Sequence, residues 1–472
     1  MKSKTLFFSL LCPAILSCST AHQPSCQVPV SEADETMMKG KFEPTWESLK
    51  HYKVPEWYRN AKFGIWAHWG PQCVEGTGDW MARSMYMEGS PVYNYHVEHY
   101  GHPSEVGFKD VIPSFKAEHW NPDSLVAFYK KIGAQYFFAL GNHHDNFDLW
   151  DSKYQSWNSV NMGPKRDVSW DDGMIHRQWA WGDGACLPTR EYVTNFYNRT
   201  LEVINRYNPD ILYFDVTVLP FYPISDAGLK IAAHFYNHNM ATHDGKLEAV
   251  LNGKILDDEQ RKALVWDVER GAPNQIIADK WQTCTCLGGW HYDRSYYDND
   301  RYKSAADVVK LLIDVVSKNG NLLLSVPLRA DGTFDDKEEK ILMEFGDWMN
   351  TNKEAIYDTQ PWKVFGEGPI ANSDIAINAQ GFNEGYYTNA TAQEIRFTQK
   401  GEALYVTALA WPKDKQVVVK SLSQGNDLYP GKISQVELLG YGTVDFNRTA
   451  EGLVINLPDK PLNRIAPVFK VE

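Results

Sequence analysis

The feature that most restricts this chain is a pattern repeated between residues 60 and 330. A short apolar run ends in a polar side chain, and helical stretches separate several of the runs. Lys62 to Ala67 ends at His68, Gln135 to Leu140 at Asn142, His143 and His144, and Ile211 to Phe214 at Asp215. Ala249 to Leu251 ends at Asn252, Leu264 to Val268 at Glu269, and Leu322 to Leu324 at Ser325. Strands without polar alternation are buried on both faces, as parallel strands are. Strands that alternate with helices build βα units. Polar groups gathered at strand C-termini are where a TIM barrel keeps its active site. The rival architecture, an open doubly wound sheet, finds no glycine-rich phosphate loop to support it.

Helix punctuation agrees with this reading. Asn121-Pro122 opens a helix that Gly133 closes, with a capping side chain, proline at the first helical position and glycine past the end. Ser304 with Asp307 three residues later opens another, which Gly320 ends. Thr189 to Tyr207 and Glu338 to Asn350 are two more. After Pro361 the texture changes to short alternating runs, at 403–408, 416–420, 436–439 and 453–457, divided by Gly, Asn and Pro. The expectation is a TIM-like (β/α) barrel over residues 45–360 followed by an antiparallel β-sandwich over 361–472.

The N-terminus reads MKSKTLFFSLLCPAILSC. It has a basic start and an apolar run too short to span a bilayer. It resembles a bacterial lipoprotein signal covering residues 1–17, with Cys18 as the lipidated first mature residue; ordinary signal cleavage nearby is the alternative. Residues 18–44 read as a flexible tether. The expected location is therefore the periplasm, or the outer membrane through the lipid anchor. Of the seven cysteines, Cys284 and Cys286 form a CxC pair with no second pair at zinc spacing, which argues against structural zinc. A formal charge of −13 argues against nucleic acid, whose binding needs clustered Lys and Arg. The 17 Trp and 25 Tyr supply core, and also flat platforms of the kind on which sugar rings stack.

Two carboxylates stand out, Asp215 in ILYFDV and Glu269 in VWDVERG. Two such groups at one barrel mouth are the equipment of glycoside hydrolysis. The plainer alternative is that each caps a helix or pairs with Arg270. His143-His144-Asp145 follows a strand. Adjacent residues of an extended strand point to opposite faces, which disfavours a metal held by both histidines. His68-Trp69 places a hydrogen-bonding ring beside a stacking ring.

These segments converge on a family. KFGIWAHWG (62–70), GDWMARSMY (78–86), the stretch from Phe115 to Ser152, Trp157-Asn158, KRDV (165–168), ILYFD (211–215) and SKNGNLLLSVPLRADG (317–332) resemble glycoside hydrolase family 29, the retaining α-L-fucosidases. The resemblance implies a (β/α) barrel followed by a β-sandwich, and an exo-acting enzyme that cleaves terminal α-L-fucosides of oligosaccharides or glycoconjugates without metal or organic cofactor. Carried over by position, the nucleophile matches Asp215 and the sugar-binding histidines match His68, His143 and His144. Trp80 matches the family's pocket aromatic, with Asp79 at the preceding acidic position. Glu269 is the choice for the acid/base, ahead of Asp267, Glu75 and Asp79. Lys254 stands where relatives carry a substrate-binding Arg, and Trp281 matches a position near the sugar pocket. A homo-oligomer is compatible with this reading.

One departure is large. After KRDV, relatives carry a helix, a further barrel strand and a long loop that this chain lacks. The expectation is a barrel short of one strand after residue 168, with two unpaired edges, the alternative being that Ser169 to Trp181 repairs the gap. That loss raises an alternative function, a catalytically degenerate carbohydrate-binding lipoprotein of the same fold.

Overall fold

The computed structural model describes residues 26–165, 187–373, 379–387, 389–463 and 465–472. The signal segment, Cys18 and the Ser169 to Trp181 stretch lie outside the described residues. The tether reading is corrected for residues 26–44: their backbone is hydrogen-bonded to the barrel, with the Val28 amide donating to Ile224 O at 3.0 Å, the Met38 amide to His234 Nδ1 at 2.9 Å and the Phe42 amide to Asn237 Oδ1 at 2.9 Å, and Phe42 is buried in the barrel core.

The helices begin where their caps predict. Asn121 accepts from the Ser124 amide ahead of the helix Pro122–Lys131. Ser304 and Asp307 complete a capping box on Ala305–Ser317. Asp335 and Glu338 do the same for Asp336–Asn352. No helix among the described residues is long and apolar enough to cross a membrane.

Seven strands make one parallel sheet: β1 (Phe63–Ala67), β2 (Tyr136–Ala139), β3 (Ile211–Tyr213), β4 (Val250–Gly253), β5 (Val265–Glu269), β6 (Trp281–Cys286) and β7 (Gly320–Ser325). Their order is β2-β1-β7-β6-β5-β4-β3, so β2 and β3 are the edges. The absent unit would lie between them. Six of the seven are the apolar runs expected from the sequence. The seventh, β6, is not, because Gln282, Thr283 and Thr285 give it a polar texture although all three are buried.

The sheet curls until its edges face each other in a nearly closed barrel. Phe138 of β2 meets Tyr213 of β3 edge-on, ring centroids 5.9 Å apart, and Trp66 of β1 lies 5.0 Å from Tyr213. Outside this seam, the segment after β2 is stitched to the helix Arg190–Tyr207 that precedes β3. The buried Arg199 guanidinium donates two hydrogen bonds to Asp148, one from Nε at 3.2 Å. Glu202 accepts from Ser152 Oγ at 2.9 Å and from the Lys153 amide at 3.1 Å. Asn142 Nδ2 donates to Asp148 at 2.6 Å. Side-chain hydrogen bonds thus span the place where the described strands do not pair.

Beyond residue 360 lie a six-stranded and a three-stranded antiparallel sheet. Phe397, Leu404, Val406, Phe469 and Val471 of the larger sheet share a core with Val417, Val419, Leu453 and Ile455 of the smaller. Every second residue faces that core, which is the alternation visible in the sequence.

Candidate active site

A cavity of about 510 Å³ opens at the C-terminal ends of the barrel strands. His68, His143, His144, Trp80, Asp215, Lys254 and Glu269 all line it. Each sits one to five residues past a strand, or at its last residue, except Trp80, which the loop after β1 brings in.

Asp215 and Glu269 face one ammonium. Lys254, just past β4, donates to Asp215 Oδ1 and, at 2.8 Å, to Glu269 Oε2. Burial opposes ionisation of Asp215, but the charge and hydrogen bond of Lys254 outweigh it and hold the carboxyl below its ordinary value. The same balance acts on Lys254: burial favours the neutral amine, and the two acids push its pKa well above the usual range. His143 Nε2 stands 3.9 Å from Asp215 Oδ2.

His68 is buried and its Nδ1 lies 3.0 Å from Ser325 Oγ. Burial, reinforced by the neighbouring His291, pushes its pKa down to about 3, so it is a neutral hydrogen-bonding ring near neutral pH. His144 stacks on Trp80, centroids 3.7 Å apart at an interplanar angle of 18°. Trp80 holds that ring from a left-handed backbone (φ 66°). His143 and His144 lie in the loop past β2, not on the extended strand, so both rings face the cavity, 4.0 Å apart. The strand-alternation objection therefore does not apply. The donor atoms of Asp79, His143 and His144 come within 4.8 Å of one another. Asp79 already pairs with His291, Oδ1 to Nδ1 at 2.7 Å. That hydrogen bond, with nearby histidine charge, outweighs burial and keeps the Asp79 carboxyl below its ordinary value.

The structure places three sequence-selected residues elsewhere. Trp281 is a correction: it opens β6 at the opposite, N-terminal end of the barrel, fully buried, with its indole N–H donating to Lys318 O at 2.9 Å. The cavity is lined instead by Trp290, in the loop after β6. Asp267 precedes Glu269 by two, so it points into the same barrel interior but one layer deeper. There it accepts from Gln282 Nε2 at 2.7 Å and Tyr213 O–H at 3.1 Å, and burial pushes its pKa up to about 6. Glu75 is buried against His96, 2.6 Å away, and does not reach the cavity. Cys18 lies outside the described residues. Among the described cysteines, Cys26, Cys73, Cys284 and Cys286 are free thiols.

Three contributors were missed in the sequence. His291 joins the histidine cluster, 5.3 Å from His68 and 4.8 Å from His143 between ring centroids. The signal was there, since Trp290-His291 pairs a stacking ring with a hydrogen-bonding one as His68-Trp69 does. Gln380 and Phe382, from beyond the barrel, also line the cavity, and nothing local in the sequence announces them.

Comparison with known proteins agrees with this geometry. The alpha-L-fucosidase family model matches residues 30–172 and 174–354, and the alpha-L-fucosidase C-terminal domain model matches residues 388–472. The chain is similar to the plasma alpha-L-fucosidase of Homo sapiens, 25% identical over 467 residues that cover 90% of each protein. It is also similar to the tissue alpha-L-fucosidase of Rattus norvegicus, 25% identical with 89% of each covered. Among solved structures, the Thermotoga maritima alpha-fucosidase in complex with fucose superposes with a TM-score of 0.71 at 27% identity, covering 92% of this chain and all of that one. A barrel mouth with two acids on one cation, ringed by histidines and tryptophans, thus sits in a chain that both family models match, and the chain belongs to the alpha-L-fucosidase family of glycoside hydrolases.

Proposed function

We propose that this chain is an exo-acting α-L-fucosidase that works with retention, Asp215 as nucleophile and Glu269 as acid/base. The observation that carries the reading is the bridging ammonium. Both acids meet Lys254 Nζ within hydrogen-bond reach, so their bonded oxygens are at most about 6 Å apart. Retaining glycosidases separate their carboxyls by about 5–5.5 Å and inverting ones by about 6.5–9.5 Å. The ionised Asp215 attacks the anomeric carbon of a terminal fucosyl unit. The glycosidic C–O bond breaks and Glu269 gives its proton to the departing oxygen. In the second step Glu269 takes a proton from water, the water oxygen bonds to the anomeric carbon, and Asp215 leaves as carboxylate. Neutral His68, with His143 and His144, hydrogen-bonds ring hydroxyls, and the Trp66 and Trp290 rings take the apolar face and methyl group of the sugar.

Nothing in the cavity favours a degenerate, non-catalytic protein, since both acids are present and share it. Asp215→Ala is expected to lower kcat on an aryl α-L-fucoside by about a thousandfold or more with an unchanged melting curve. NMR of the first fucose released is expected to show the α anomer. Near-normal turnover by the variant, or β-fucose as the first product, refutes the assignment.

We further propose that residues 1–17 are removed and that Cys18 anchors the enzyme to a bacterial membrane facing the periplasm or cell exterior. Metabolic labelling with a fatty acid, lost in Cys18→Ser, tests this.

A further inference from the structure

We infer that the ring of Phe382, carried to the barrel mouth by a strap from the C-terminal part of the chain, is the platform for the leaving group, the sugar or aryl unit attached directly to the fucosyl residue. The inference rests on the fucosidase reading and adds the second half of its substrate site. Phe382 is 58% exposed and Ile255 is 62% exposed, and both line the same cavity as Asp215 and Glu269. Large apolar side chains this exposed at a catalytic pocket are surface waiting for an apolar partner.

The strap is fixed beside the proton donor. Gln380 accepts from the Glu269 amide at 3.4 Å and donates to the carbonyls of Asp267 at 3.0 Å and Lys254 at 3.3 Å. Asn383 exchanges two hydrogen bonds with the backbone of Ala272, both 3.0 Å. The fit is close enough to require glycine at 271, where a Cβ would stand 2.1 Å from Ala379 O. Between these anchors Phe382 adopts a left-handed backbone, φ 52°, an unusual conformation for a bulky residue. A bulky apolar ring is thus held in solvent, at a conformational cost, next to the residue that protonates the leaving oxygen. The leaving group must lie on that side, because the proton donor and the glycosidic oxygen are in contact during bond cleavage. The occupant is a ring with an apolar face, since a flat aromatic stacks on such a face.

The test compares a large leaving group with one too small to reach the ring. In Phe382→Ala, the ratio of kcat/KM for an aryl α-L-fucoside to that for α-L-fucosyl fluoride is expected to fall about tenfold. Phe382→Trp is expected to restore it. An unchanged ratio in Phe382→Ala, or one that Phe382→Trp fails to recover, overturns the platform. Should the unaltered enzyme turn over neither compound, the fucosidase reading itself falls and takes the platform with it, an outcome distinct from a changed or unchanged ratio.

Discussion

Lys254 decides what the two acids can do. Two carboxylates at one partly buried mouth repel each other, and burial adds its own penalty on charge. A cation between them relieves both effects and favours the ionised form of Asp215, the form that the proposed nucleophilic role requires. The direction of the pH dependence follows. Asp215 is held below its ordinary pKa, so the acid limb of kcat/KM is expected to lie below the usual carboxylate range in the native enzyme. Lys254→Met removes the opposing charge, and the limb is expected to move up by roughly 1 pH unit or more, with lower activity throughout. A kcat/KM profile on an aryl fucoside checks this; an unmoved limb means that Lys254 does not set the state of Asp215. At this scale the sequence already marked Asp215, Glu269 and the strand-end histidines, because each follows an apolar run directly. It could not show that Lys254 touches both acids, since 39 residues separate it from one and 15 from the other.

At the scale of elements, the main departure is that the barrel sheet has seven strands among the described residues, with none between β2 and β3. Two parallel edges are left without hydrogen-bonded partners among the described residues. The fold manages them with interior rings that touch across the seam and an outer polar clasp, Arg199 on Asp148 and Glu202 on the segment after β2. A charge in such a clasp is expensive to strand. Arg199→Met leaves Asp148 buried without its cation, and a destabilisation of about 3–5 kcal/mol is expected. Chemical unfolding of the variant against the native chain measures it. A shift under about 1 kcal/mol means that the rings alone close the seam. The gap between β2 and β3 among the described residues agrees with the motif order after KRDV. The clasp was not legible in the sequence, because Asp148 and Arg199 have no local pattern that links them. Strand β6 was hidden for a different reason. Gln282 points inward to Tyr58 and Asp267, so its polarity is satisfied inside the barrel and does not signal a surface.

Across the whole molecule, barrel and β-sandwich are joined by a buried ionic cluster. Asp314, at the end of a barrel helix, accepts from Lys318 at 2.7 Å and from Arg396 of the larger C-terminal sheet at 2.6 Å, and all three side chains are fully buried. Burial raises the Asp314 pKa, but the two cations outweigh it and hold the carboxyl below its ordinary value. A depressed folded-state pKa contributes stability above the unfolded value, near 3.9, and loses it as the pH falls through the folded one. Asp314→Asn is therefore expected to cost about 3–5 kcal/mol at neutral pH, and the gap is expected to narrow below about pH 4. Melting curves at pH 7 and pH 3 test this, and a gap constant with pH contradicts it. Gln380 and Phe382, which lie beyond residue 360 in the chain, also line the cavity, so this part of the chain takes part in building the pocket.

The chain's local order was sufficient for most of its architecture. Runs of apolar residues, their polar ends, helix caps and the switch to alternation after Pro361 are all properties of neighbouring residues, and backbone geometry converts them directly into strands, helices and faces. Which tryptophan meets the cavity was decided elsewhere. Trp281 and Trp290 lie nine residues apart, yet one starts a strand and the other follows it, at opposite ends of the barrel. The shared cation, the clasp across the open seam and the aromatic ring beside Glu269 were likewise set by tertiary structure alone. Each joins groups distant along the chain, and only packing around a common core brings such groups within reach.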